Sequence, residues 1–162
     1  MHTNTRQIAE AGRLLVQDQL RLEGIETDRA PARADHHLVI RAPGHLAGTT
    51  IRVQAKSEPM PGGGTGRLAL NWMLDGTFTG DLIAVADLST SRVWIFRTEE
   101  AFKRAQQHLA KGDHHLIMVT QGAGMRRSKH PAILDEHFRD ALLDARAGAL
   151  MDPAWAGVFR AE

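Results

Sequence analysis

Two short segments constrain this chain most. One is Leu38-Val39-Ile40, led in by Asp35-His36-His37; the other is Ile51-Arg52-Val53-Gln54-Ala55-Lys56. Both are rich in apolar and β-branched residues, the composition of strands, and both collect polar groups at one end. Successive side chains on a strand point to opposite faces, so Gln54 and Lys56 share a face. An oxygen donor and a cation therefore project from one strand end, close to a carboxylate that leads the preceding strand. Such a set can hold a hard divalent ion and a phosphate together.

A chain of 162 residues has the size of one compact domain with one substantial core, and residues 1–162 are expected to form it. The net charge of +1 gives no global attraction to nucleic acid, so any basic surface must be local. The absence of cysteine excludes disulfides and thiolate metal sites. No apolar run approaches the roughly 20 residues that span a bilayer. Met1 to Gln7 is polar and lacks the core of a signal peptide. A cytoplasmic protein without a membrane partner is expected.

Ile8, Ala11, Leu15 and Leu22 recur at helical spacing and predict a helix over 5–23, with Asn4 and Gln7 as a capping box and Gly24 as the stop. Residues 26–35 are polar, contain Pro31 and read as a loop. Strands follow at 38–41 and 49–56, then a long loop at 57–66 with two prolines and four glycines. Residues 67–74 predict a strand with Leu68, Leu70 and Trp72 on one face, and the apolar run 82–86 a strand buried on both faces. A strand at 93–96 leads into a helix over 98–111 capped by Thr98, with Phe102, Ala105 and Leu109 facing inward. A strand at 116–119 comes next. A last helix, opened by Pro131, is expected to run to about Ala147 with Leu134, Phe138, Ala141 and Ala145 inward. Trp155 and Phe159 sit in the tail that follows.

This layout resembles the PD-(D/E)XK nuclease superfamily over roughly residues 5–120. Gln54-Ala55-Lys56 is similar to the Gln-x-Lys variant found in Mrr-like restriction enzymes. Three stretches are similar to small bacterial members without assigned function: Arg6 to Gly12, Pro61 to Leu70 with its Gly-Gly-Gly-x-Gly-x-Leu-Ala-Leu pattern, and Asp81 to Phe96 with Asp87-Leu88-Ser89-Thr90. The resemblance implies a restriction-endonuclease-like α/β core, a mixed sheet flanked by helices in the order helix, three to four strands, helix, strand, C-terminal helix. That core would cover residues 5–120, with the last helix and tail at 131–162. The resemblance further implies DNA as partner, Mg²⁺ or Mn²⁺ as cofactor, and a homodimer. Its catalytic residues would be Lys56, Gln54 and Asp35, and its metal ligands would be drawn from Asp35, Gln54, His37 and Glu10.

The chain departs from that family at the acidic position. Where the metal-binding carboxylate directly precedes the first apolar strand, this sequence has His37, and Asp35 stands two residues earlier. Gln54 is also a neutral amide. Two unit charges about 4 Å apart interact by roughly 4 kcal/mol at an effective dielectric near 20, so each lost carboxylate weakens a divalent site considerably. Imidazole at 37 suits Mn²⁺, Zn²⁺ or Ni²⁺ better than Mg²⁺. Three options follow: catalysis with Asp35, catalysis with another metal through His37, or binding without catalysis.

Other features have plainer expectations. Gly62-Gly63-Gly64-Thr65-Gly66 lacks the Gly-Lys-Ser/Thr ending of a phosphate-binding loop, and serves as a hairpin or a close approach to DNA aided by Arg67. The densest basic run, around Arg126, Arg127 and Lys129, offers phosphate contacts. Asp35-His36-His37 is echoed by Asp113-His114-His115. Adjacent histidines on a strand point apart, so one from each pair would have to converge to bind zinc, and a strand-end hydrogen bond is the commoner role. The favoured function is a nuclease-like DNA-binding domain with metal-dependent phosphodiester hydrolysis. The alternative is a non-catalytic nucleic-acid-binding or protein-interaction module on the same fold.

Overall fold

The computed structural model describes residues 4–62, 67–120 and 134–152. Residues 63–66, the basic run with Arg126, Arg127 and Lys129, Pro131, and the tail with Trp155 and Phe159 lie outside that set. The elements in chain order are α1 (Thr5–Leu22), β1 (Glu26–Arg29), β2 (Leu38–Ala42), β3 (Thr50–Lys56), β4 (Met60–Gly62), β5 (Arg67–Leu74), β6 (Leu82–Asp87), β7 (Arg92–Arg97), α2 (Thr98–Arg104), β8 (Gln107–His108) and β9 (His114–Val119). A 3₁₀ segment at Asp135–Ala141 and helix α3 (Leu143–Leu150) follow.

The strands form two sheets, ordered β1-β2-β3-β6-β7 and β4-β5-β9-β8. The first sheet is mixed: β3 and β6 run parallel, while its other pairs are antiparallel. Parallel neighbours need a long crossover. Here the chain between β3 and β6 supplies β4 and β5, and so begins the second, antiparallel sheet.

Alternation along the central strands divides the interior. Leu82, Ala84 and Ala86 of β6, with Val93 and Ile95 of β7, pack with Ile51, Val53, Leu38 and Ile40 beneath α1 and α3. The intervening Ile83, Val85, Trp94 and Phe96 face the second sheet, where they meet Leu70, Trp72, Leu74, Leu116 and Met118. Trp72 and Trp94 are edge-to-face at 5.7 Å, an arrangement that adds about 0.5–1.5 kcal/mol to their burial. All six residues of β6 are buried, as its continuous apolar run implies.

Asn4 caps the start of helix α1, but its side chain accepts from the Arg6 N–H at 2.9 Å and the capping box expected with Gln7 is not formed; the Gln7 N–H bonds Asn4 O at 2.8 Å. It stops at Gly24, whose φ of +82° suits glycine, and the Ile25 N–H returns to Leu20 O at 2.9 Å. Its buried stripe is Gly12, Val16 and Leu20, not the predicted Ala11 and Leu22; Leu22 is 85% exposed. The helix sits close because position 12 has no side chain. A Cβ placed on Gly12 would stand 2.5 Å from the Ala55 Cβ of β3.

Four further expectations are corrected. Residues 26–29 form an edge strand, not a loop, held by side chains at both faces: Gln17 donates to Thr27 Oγ1 at 3.1 Å, and Arg41 reaches Glu26 at 3.1 Å. Within the expected loop 57–66, β4 pairs with β5. Helix α2 ends at Arg104 instead of 111, because Gln106 doubles as a strand mimic: its amide accepts from Ile117 N–H at 2.7 Å and donates to Ile117 O at 2.9 Å. Thr98 is inside that helix and bonds Gly80 O at 2.7 Å, while Glu100 caps by accepting from the Arg97 N–H. The last helix is broken at Leu142, which bridges to Trp94; beyond the break Leu143, Ala147 and Leu150 turn inward and Ala145 is exposed.

Gly12→Ala is expected to destabilise the protein by ~1–3 kcal/mol through overpacking against β3. Ala55→Gly should restore part of that loss in the double variant. Urea unfolding of the four proteins in the cycle measures the coupling; additive effects would show that α1 does not rest on Ala55.

Candidate functional site

Strand β3 has one apolar and one polar face. Ile51, Val53 and Ala55 point toward α1. Arg52, Gln54 and Lys56 alternate with them and point toward the second sheet. Gln54 Nε2 donates to Met73 O of β5 at 2.8 Å, which holds the carboxamide in place by its nitrogen. Lys56 is exposed, and no partner for its ammonium exists among the described residues. Its register partner on β6 is Asp87.

Asp87 is wholly buried and already committed. It accepts from the Ser89 N–H at 3.1 Å, Ser89 Oγ at 2.7 Å and Thr90 Oγ1 at 2.8 Å, and Arg92 lies 3.7 Å away. These contacts build the β6–β7 turn, which explains the sequence Asp87-Leu88-Ser89-Thr90 as a structural motif.

Asp35 is tied to the polar face of β3 through its backbone, because Arg52 Nη1 donates to Asp35 O at 3.1 Å. Its carboxylate is 59% exposed and contacts His36 Nδ1 at 3.1 Å. Arg52 also faces Asp75 at 3.8 Å and lies 5.5 Å from the centre of the Phe78 ring. Arg52 thus joins the Asp35 backbone to the face of β3 that also carries Gln54 and Lys56.

His37 and Glu10 have other partners. His37 Nδ1 accepts from the Val53 N–H at 2.8 Å, where the β2–β3 ladder has ended. The ring replaces a strand carbonyl, so the proton of the neutral imidazole sits on Nε2. Burial, reinforced by Arg13, Arg52 and His36, pushes its pKa down to about 4. Glu10 forms a two-pronged ion pair with Arg29 of β1, one contact at 2.8 Å, and has Arg13 at 3.8 Å. The Arg29 hydrogen bonds hold its carboxyl below the usual range. Among the described residues, no group of three or more histidine, aspartate or glutamate side chains is arranged to hold a metal ion. Arg67, at the start of β5, pairs with Gly62 of β4.

The second histidine pair does not approach the first. His114 and His115 lie on β9, and His115 Nδ1 meets Asn71 Oδ1 at 3.0 Å. His114 instead faces His108 of β8, with their Nδ1 atoms 2.6 Å apart. Position 108 carried no signal in the sequence, because its partner is chosen by the β8–β9 register inside what reads as a helix.

No family model matches this sequence, and no curated protein matches it. Among solved structures, the bacterial homing endonuclease I-Ssp6803I aligns over 92% of this chain and 98% of its own, with a TM-score of 0.50 and 10% sequence identity. The chain therefore has a restriction-endonuclease-like α/β architecture, a mixed sheet flanked by helices, and the likeness is one of fold. No helix among the described residues is long and apolar enough to cross a membrane.

His37 links this site to pH. The unfolded imidazole takes a proton near 6.5, while the folded ring resists until about 4. Above 6.5 the group costs nothing; as pH falls from 6.5 to 4 the unfolded chain alone gains the proton and stability drops. For a half-buried ring the loss should be on the order of 1–2 kcal/mol, complete by about pH 4. His37→Gln keeps an acceptor for Val53 and should flatten this part of the profile. Urea midpoints of both proteins between these pH limits measure the difference, and parallel profiles would rule out His37 as the cause.

Proposed function

We propose that the protein is a nuclease-fold DNA-binding domain that engages a phosphodiester at the end of β3 and hydrolyses it with a divalent metal. The observation that carries this is the exposed, unpartnered ammonium of Lys56 beside the fixed carboxamide of Gln54 on one strand face. The restriction-endonuclease-like architecture supports it. Lys56 binds the phosphate and stabilises charge that develops on its oxygens. Arg52 holds the Asp35 turn against the same face.

The donors that fit Mg²⁺ or Mn²⁺ are the Asp35 carboxylate and the Gln54 amide oxygen. Mg²⁺ commonly binds through one or two carboxylates together with substrate phosphates, so this set suits an ion that arrives with DNA, not a resident one. The imidazole of His37 and the carboxylate of Glu10 stay with Val53 and Arg29. When bound, the ion lowers the pKa of a water and so supplies the nucleophile. Additional phosphate contacts are assigned to Arg67 and to Arg126, Arg127 and Lys129, the last three outside the described residues.

A second function has its own support. With His37 neutral and used as a strand cap, Asp35 is the one carboxylate that the site retains from the expected ligand set. That favours a domain that binds DNA phosphates without cutting them. The two differ in a single experiment. Supercoiled plasmid and single-stranded DNA are incubated with Mg²⁺, with Mn²⁺ or with a chelator, alongside gel-shift titrations over a range of salt.

Hydrolysis predicts metal-dependent nicking that falls by ~10²–10³-fold in Lys56→Ala, a variant whose exposed side chain is not needed for folding. Binding alone predicts no nicking and a salt-sensitive shift that weakens when Arg126 and Arg127 become alanine. Neither nicking nor a shift would overturn both functions.

A further inference from the structure

The hairpin that joins β8 to β9 holds a cluster that the strand-end site does not use. His108 and His114 are register partners in this antiparallel pair. The next pair outward is closed by the Leu109 N–H to Asp113 O bond at 2.8 Å. Histidines 108 and 114 therefore occupy a non-hydrogen-bonded position, where Cα atoms approach to about 4.5 Å and side chains lie closest. Their rings are edge-to-face, with centroids 4.8 Å apart and planes at 78°, and the two Nδ1 atoms face each other at 2.6 Å.

We propose that His108 and His114 form a clamp for a borderline divalent transition ion such as Ni²⁺, Cu²⁺ or Zn²⁺, bound through both Nδ1 atoms. Imidazole is a preferred ligand for these ions, and neither histidine is engaged by a carboxylate among the described residues. With metal–nitrogen bonds of about 2.05 Å, two ligands at a right angle stand about 2.9 Å apart and two tetrahedral ligands about 3.4 Å apart. The two nitrogens, which share a proton at 2.6 Å, must therefore part by a few tenths of an ångström or more to admit an ion. A small opening of the two χ angles admits the ion between the rings.

The clamp is preorganised on one side. Phe102 of α2 stacks on His114 with ring centroids 4.6 Å apart and planes at 29°. Gly76 lies beside the opposite ring edge, near His114 Nε2. His108 is exposed at the sheet edge and free to adjust. Without metal, two neutral rings meeting Nδ1 to Nδ1 require one of them to carry its proton on that nitrogen. On binding, that ring shifts its proton to Nε2, so both Nδ1 lone pairs reach the ion and no net proton is released. Water completes the remaining positions, which makes this an exchangeable surface site and not a buried structural one.

The test is calorimetric titration of the full chain with Ni²⁺ near neutral pH and without DNA, which separates it from the nuclease question. Wild type should take up one Ni²⁺ that is weakened roughly tenfold or more by His108→Ala and equally by His114→Ala. His36→Ala and His115→Ala should leave that event unchanged, since those rings contact Asp35 and Asn71. Proton–nitrogen correlation spectra should show the Nδ1 signals of these two histidines moving on addition of Ni²⁺. Absence of binding at millimolar Ni²⁺, or binding that survives both alanine variants, would overturn the proposal.

Discussion

The close contact of α1 with β3 sets the orientation of the whole polar surface. Gly12 leaves room for Ala55, and with Ile51 and Val53 these residues commit alternate positions of β3 to a dry interface. The remaining positions, Arg52, Gln54 and Lys56, then have one direction left. A slip of one residue would bury the cation and expose the apolar set, an error that no local contact could offset. Parallel pairing with β6 fixes the register over the entire length, from Ile51 opposite Leu82 to Lys56 opposite Asp87. The chemistry at the strand end is thus a consequence of helix packing on its other side.

Within that surface, hydrogen bonding decides which charged groups remain available. Asp87 faces the Lys56 position yet is spent on the β6–β7 turn. Glu10 answers Arg29, and His37 completes the backbone of β3. Each of these groups would count as a ligand in a list of residue types. Once the partners are counted, the exposed set is an amide, a carboxylate and an ammonium. Glu100 is committed elsewhere in the same way, to Arg146, whose guanidinium also donates to Ile95 O at 3.0 Å and so locks α3 to β7.

How much of this was legible in the sequence depends on whether the signal was local. The strands β3, β5 and β6 announce themselves by alternation or by unbroken apolar runs, and the side shared by Gln54 and Lys56 follows from period two alone. β1 was hidden because Glu26, Thr27, Asp28 and Arg29 are all polar; they form a strand through the neighbours that ion-pair and hydrogen-bond with them. The end of α2 was hidden because Gln106 is a good helix former whose amide finds Ile117 eleven residues away. The inward stripe of α1 is not legible because it runs through Gly12, which has no apolar side chain to mark the buried face and packs there by its close approach to Ala55. His108 and the role of His37 both depend on strand pairing, which no single segment encodes.

Position 37 shows what separates this surface from a strongly acidic one. An aspartate there could also accept from the Val53 N–H, so the need for an acceptor does not by itself call for histidine. The difference is charge. A neutral ring leaves Arg13 and Arg52 with partners no closer than 3.8 Å in their ion pairs, Glu10 for one and Asp75 for the other. Both guanidiniums act on His37, as the depression of its pKa reflects. Arg52 also holds the Asp35 backbone, and Lys56 lies further along the same face of β3. A neutral ring in place of a carboxylate makes a strand end less attractive to a lone divalent ion and less repulsive to an anion. Histidine at 37 thus removes a negative charge from this strand end without removing the acceptor that the Val53 N–H needs.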